Sequence, residues 1–213
     1  MRSCLKSQRW FTSGLRLAGK IKGSLDYEIE PLYQFGSIAN TNRHSEDTIG
    51  AFGGHFEAGY TFKSKYRPRI FTGYAFGSGD NDTKDKFYRE FHGNVLNDNY
   101  IVADSSLIGD LSGITVGSSR ASGMHVIVGG TSIDPFPKLN LNVDYHQFIA
   151  VKTPSGISKD LGGEVNLIAK YKLLPELDII ASANRFFTGK FFSQAAGSGR
   201  DIGYYYAQAQ VTF

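Results

Sequence analysis

At 213 residues and a net charge of +3, with no apolar run near the roughly 20 residues of a spanning helix, the chain is not a helical membrane protein. It carries no dense Lys/Arg stripe and no stacked-aromatic motif, so nothing points to nucleic acid. A mean hydropathy of −0.25 with 25 Gly, 16 Phe and 12 Tyr favours strands, tight turns and aromatic girdles, and the single Cys4 excludes an intramolecular disulfide.

In chain order, the opening MRSCLKSQRWFTSG lacks the seven-residue apolar core of a secretory signal. Met1 therefore reads as other than the natural start, and residues 1–9 as a non-native or disordered lead. Nine segments then carry the strand signature, each about the length at which a tilted strand crosses a bilayer. They are Trp10–Ile21, Leu25–Phe35, Thr48–Phe62, Pro68–Gly77, Met124–Ser132, Leu139–Val151, Asp160–Lys172, Leu177–Phe187 and Ile202–Phe213. The last is the clearest. Tyr205, Ala207, Ala209, Val211 and Phe213 alternate with Tyr206, Gln208, Gln210 and Thr212, and a terminal strand closed by Phe resembles the last strand of bacterial outer-membrane barrels.

The connections alternate in length. Lys22–Ser24, Lys63–Arg67, Ile133–Lys138 and Leu173–Glu176 are short, whereas Gly36–Asp47, Ser78–Gly123, Lys152–Lys159 and Thr188–Asp201 are long and polar. That is the arrangement of an outer-membrane barrel with its short turns in the periplasm. The predicted fold is thus all-β, a transmembrane antiparallel up-and-down β-barrel spanning residues 10–213, with a long extracellular loop over residues 78–123. Single-chain barrels have even strand numbers, and an open edge in hydrocarbon costs on the order of tens of kcal/mol, so nine strands predict the C-terminal fragment of a larger barrel.

Several phrases, in order and spacing, resemble the alginate export family of outer-membrane barrels. They are SGLRLAGKIKGSLDYEIEPLYQFG at Ser13–Gly36, AGYTF and RPRIFTGYAFGSGD within Ala58–Asp80, LNVDYHQF at Leu141–Phe148, LGGEVNLIAKYKL at Leu161–Leu173, and the closing strand. The resemblance implies a barrel of about twice as many strands, located in the bacterial outer membrane. It also implies export of an anionic polysaccharide such as a polyuronate through an electropositive pore.

Alternation assigns the faces. Leu15, Leu17, Gly19 and Ile21 oppose Arg16, Ala18 and Lys20; Leu25, Tyr27, Ile29, Tyr33 and Phe35 oppose Asp26, Glu28, Glu30 and Gln34. Phe52, Phe56 and Tyr60 leave His55 and Glu57 opposite, Val143 and Tyr145 leave Asp144 and His146, and Val165, Leu167 and Tyr171 leave Glu164 and Lys170. A cation at the lipid midplane costs about 2–4 kcal/mol, so the charged faces are expected to line the lumen. The predicted pore-lining set is Arg16, Lys20, Arg69, Glu28, Glu30, Glu57, Asp144, Glu164 and Lys170. The cations would form a ladder for carboxylates, led by Arg16 and Arg69 because a guanidinium fork binds two oxygens; the acids would hold them in place and keep binding weak. The plain alternative is that the two signs neutralise one another across strands.

Other patterns carry less. Residues 77–82, GSGDND, lack the spaced Glu of a calcium loop, and His44, His55, His92, His125 and His146 show no HExxH spacing, so no metal or cofactor is expected. The long connection, with Lys84, Lys86, Arg89, His92 and Arg120, is a candidate gate at the mouth. Tyr204–Tyr206, Phe186–Phe187 and Phe191–Phe192 read as interface girdle. The expected function is an acidic-polysaccharide channel, not an enzyme, with outer-membrane lipid, the polysaccharide and periplasmic export-machinery proteins as partners. A general small-solute porin, an outer-membrane hydrolase built on Asp144 and His146, and a soluble β-sandwich or lipocalin-like binder are the alternatives.

Overall fold

The computed structural model describes residues 8–40, 45–80, 82, 84–93, 108 and 110–212. Twelve strands form one sheet: β1 (Arg9–Gly14), β2 (Leu17–Ile21), β3 (Leu25–Asn40), β4 (Ser45–Thr61), β5 (Arg69–Gly77), β6 (Phe87–Tyr88), β7 (Gly113–Val116), β8 (Ser119–Phe136), β9 (Leu139–Lys152), β10 (Asp160–Leu174), β11 (Leu177–Thr188) and β12 (Ile202–Val211). The path β1-β3-β4-β5-β8-β9-β10-β11-β12 is antiparallel throughout, and β1 and β12 are not paired with each other, so the sheet is open. Short β6 and β7 are side pairings on β4 and β8.

β1 and β2 are one stave. Both pair with β3 in the same register, Gly14 with Leu32 and Leu17 with Ile29, and the gap at Leu15–Arg16 falls beside Pro31. Leu15 N donates to the Pro31 carbonyl at 3.2 Å, but proline has no N–H to return, so the ladder lapses for two residues without slipping. Nine sheet-crossing staves result, matching the nine predicted segments.

The short turns close with the geometry that strand twist demands. Lys22 and Gly23 have φ of 48° and 69°, a primed two-residue turn sealed by Ser24 N donating to Ile21 O at 3.2 Å. Pro137–Lys138 joins β8 to β9, and Pro175–Glu176 joins β10 to β11. These turns are shorter than the expected Ile133–Lys138 and Leu173–Glu176, because bulges near Ile133/Phe136 and Lys172/Leu174 carry the strands further.

On the other rim, pairing between β3 and β4 continues unbroken to Asn40 opposite Ser45, so most of the loop expected at Gly36–Asp47 is hairpin. Backbone ladders do not require apolar alternation once the strands leave the lipid, which is why polar residues there misled the reading. The Thr188–Asp201 connection holds a helix, α1 (Lys190–Ala196), ending at Gly197 in the left-handed region with φ of 73°. Cys4, His44 and Phe213 lie outside the described residues.

The outer face is apolar from edge to edge. Leu15, Leu17, Ile29, Phe52, Phe56, Ile70, Ile127, Val143, Leu167, Tyr205 and Val211 are all exposed there. A contiguous apolar surface of this breadth is suited to acyl chains rather than water. On the inner face, wall residues Leu32, Ala51, Ala75, Met124, Val126 and Phe148 pack with Phe91, Ile108 and Leu111 of the long connection and Phe191 of α1. Phe186 and Phe191 are therefore buried inside and are not interface girdle; Phe187, 45 % exposed, is the one of the four that points out strongly. The long connection reaches the wall because Gly53 leaves room: a Cβ there would sit 2.5 Å from the Phe91 ring.

Gly53→Val should thus lose about 1–3 kcal/mol through overpacking and free the connection, leaving the sheet intact. Limited proteolysis should cut between Ser78 and Gly123 faster in the variant, while the heat-modifiable band of the folded sheet persists on gels.

Candidate functional site

Inward charges gather toward the short-turn rim on the first stave and on β3, β4 and β5. Glu28 and Glu57 stand directly opposite in the β3–β4 register, a repulsive placement offset by a guanidinium on either side. Arg16 grips Glu28 with Nε donating to Oε1 at 2.7 Å and Nη2 to Oε2 at 2.8 Å. Arg69 Nη2 donates to Asp26 Oδ1 at 2.5 Å and to Glu57 Oε1 at 3.1 Å. Its guanidinium lies 4.8 Å over the Phe71 ring. It occupies the space that a side chain at Gly59 would fill.

His55 and Glu30, opposite each other in the same register, extend this patch: His55 Nε2 lies 3.2 Å from Glu28 Oε1 and Nδ1 3.9 Å from Glu30 Oε2. Lys20 is exposed opposite Asp26 and makes no ion pair among the described residues. The structure thus brings together Arg16, Glu28, Glu30, Arg69 and Glu57 of the predicted set, with Asp26 and His55.

Asp144 and Glu164 face inward also, but they are buried at 3 % and 0 %. Asp144 accepts from Asn142 Nδ2 at 2.5 Å and from Asn166 Nδ2 at 2.8 Å, and it lies 3.0 Å from His146 Nε2. This is a packed polar network under Phe71, whose ring fills the space above Gly130 beside Asp144. The Asp144–His146 pair is accordingly bound to amides within the wall.

The family model described as alginate export matches residues 5–112, about half of the sequence. The chain belongs to the alginate export family. Among curated proteins no sequence matches it. The family is one of outer-membrane transport channels for polysaccharide rather than of enzymes, and the matched span runs from the first stave through the charged patch into the long connection.

In this member of the alginate export family the rim beyond the patch is basic. A cleft of about 620 Å³ at the short turns is lined by Lys65, Arg67, Lys138, Lys170 and Lys172 against Asp134 and Asp178, five cations to two acids or a net of +3. Lys170 Nζ is 2.8 Å from Asp178 Oδ2, and the β4–β5 turn is pinned to β8 by Asp134 N donating to Tyr66 O at 2.8 Å. Sequence reasoning found Lys170 and passed over the other four, which belong to turns or to the rim end of β10. The signal was a Lys or Arg in or beside all four short connections.

The long connection is latched at the opposite rim. Glu90, 4 % exposed, accepts from Arg120 and from Ser122 Oγ, and Tyr88 OH donates to it at 3.2 Å. Trp10 of the first stave sits edge-on against Tyr88 and His92, with ring centroids 5.7 and 4.7 Å away. Gln34 holds the His92 backbone through both its N–H and its carbonyl. Of the residues expected to gate the mouth, His92 and Arg120 are built into this latch, while Arg89 pairs with Asp85 at 2.6 Å. Asp80 Oδ1 accepts from Asp82 N at 3.0 Å.

Burial, and then the Glu90 carboxylate, push the Tyr88 phenol above its ordinary value of 10.0, so the folded latch favours the neutral form. Its contribution is complete below pH 10 and is lost as pH rises through the folded value. Absorbance at 295 nm should show the Tyr88 phenol ionising late, together with release of the connection to protease. Removing Arg69 takes away the guanidinium that bridges Asp26 and Glu57, so Arg69→Ala should cost about 1.5–3 kcal/mol in urea unfolding. Arg16, 60 % exposed, should cost under about 1 kcal/mol as Arg16→Ala.

Proposed function

We propose that this sheet is the charged wall of an outer-membrane conduit for an acidic polysaccharide of the alginate type, a polyuronate with one carboxylate per sugar. The observation that carries the reading is the basic cleft, where Lys65, Arg67, Lys138, Lys170 and Lys172 outnumber Asp134 and Asp178 at the short-turn mouth. A polyanion arriving there meets net positive charge, which raises its local concentration and rate of entry. Further in, Arg16 and Arg69 already hold carboxylates of the wall, so a uronate competes for donors rather than finding bare cations. Each contact is then weak, as passage through a pore requires. Direction would come from periplasmic export proteins that deliver the chain to the mouth.

The test uses the intact barrel in planar bilayers. Replacing Arg67 and Lys172 by Glu takes four units of charge from the cleft and should lower anion-over-cation permeability several-fold and abolish block of the current by polyuronate. Unchanged selectivity overturns the reading. Current that responds to the substitutions but is never blocked by polyuronate identifies a small-solute channel instead.

A further inference from the structure

Among the described residues three buried side-chain atoms, Asn166 Oδ1, Asp178 Oδ1 and His55 Nδ1, lack a hydrogen-bond partner, and of these Nδ1 of His55 is the one that can ligate a metal through an imidazole. The imidazole is buried, with its side chain 2 % exposed, yet Nδ1 has no hydrogen-bond partner among the described residues. Leaving a buried polar nitrogen unpaired costs about 1–3 kcal/mol, so it calls for an occupant. The other ring nitrogen is engaged: Nε2 lies 3.2 Å from Glu28 Oε1, and that carboxylate is held from behind by both prongs of Arg16. A carboxylate accepts and does not donate, so Nε2 is the ring position that donates to Glu28 and Nδ1 is left as the position open to a metal.

We propose that His55 Nδ1 and the Glu30 carboxylate bind a divalent transition cation of the Zn2+ class, with Glu28 and Arg16 orienting the imidazole. Glu30 sits directly across the β3–β4 register from His55, its Oε2 is 3.9 Å from Nδ1, and its carboxylate makes no hydrogen bond among the described residues. Ligand atoms of Glu28, Glu30 and His55 all lie within 4.8 Å of one another. The 3.9 Å gap is too long for a hydrogen bond. It is near the roughly 3.4 Å that separates two ligands of a tetrahedral zinc, a difference that a small torsion of Glu30 removes.

The donor set chooses the ion. One imidazole nitrogen beside a carboxylate suits Zn2+, Ni2+ or Cu2+, whereas Ca2+ and Mg2+ take oxygen ligands and more of them. Placing a carboxylate behind the ligating histidine is the usual way of holding its tautomer and strengthening it as a ligand. The Glu30 side chain is 22 % exposed, so an ion has a path from the inner side and keeps positions for water. The site stands independently of the cargo, because its occupancy is measured by binding rather than by transport.

Isothermal titration of the detergent-solubilised protein with Zn2+ tests it. The expected result is one Zn2+ per chain bound through the patch, weakened at least 10-fold in His55→Gln and again in Glu30→Gln, with Ca2+ unable to displace it. His55 is buried and its replacement risks the fold, so Glu30→Gln, which is isosteric and removes no hydrogen bond, is the deciding variant. No Zn2+ uptake by the unaltered protein, uptake unchanged in Glu30→Gln, or displacement by equimolar Ca2+ each overturns the assignment.

Discussion

A backbone immersed in hydrocarbon has no water to satisfy its N–H and C=O groups, so each one must find its partner along the neighbouring strand. Staves, turns and faces in this protein follow from that constraint. Pairing of β3 with β4 holds a single register over its whole length, and even Pro31, which lacks a donor, interrupts the first stave without shifting it. With the register held, period-two alternation becomes a sorting device. Leu, Ile, Phe and Tyr go to the outer face, and Arg16, Asp26, Glu28, Glu57 and Arg69 are delivered together inside.

The inner face divides along the strands into two zones of different chemistry. Toward the long-loop rim it is dry, because Phe91, Leu111 and Phe191 settle into spaces left by small wall residues such as Ala51, Ala75 and Gly53. Toward the short turns it is wet and charged, with carboxylates and guanidiniums in mutual contact and a basic cleft beyond them. Small residues make both zones possible: Gly53 admits an aromatic ring, and Gly59 admits the Arg69 guanidinium. The buried row of Asp144, His146, Glu164 and Asn166 marks the transition, inward in direction yet enclosed.

The number of staves and the assignment of faces were legible in the sequence, since both are local and periodic, whereas the β3–β4 connection, read as long, shrinks to four residues once the pairing runs on to Asn40 and Ser45. What escaped it depended on partners distant in the chain. Phe186 and Phe191 look like girdle aromatics until α1 folds inward over the wall. In the strand of Arg69 both faces carry polar and apolar residues, Arg69 and Phe71 on one and Ile70 and Thr72 on the other, and only the gap at Gly59 and the acids Asp26 and Glu57 settle its direction. Lys65 and Arg67, Lys138 and Lys172 sit in or beside three separate turns, so their convergence exists in space alone. His55 and Glu30 are 25 residues apart by number yet opposite in register, a juxtaposition that no search for ligand spacing along one segment detects.

Nine staves running alternately down and up leave the first stave and β12 pointing the same way, from the long-loop rim to the short-turn rim. Rolled together, these margins would meet as a parallel seam, the less stable kind of pairing in a wall that is otherwise antiparallel. Two such sheets joined end to end would carry that seam twice. A cylinder with antiparallel neighbours everywhere is reached only by interposing an odd number of strands between the margins.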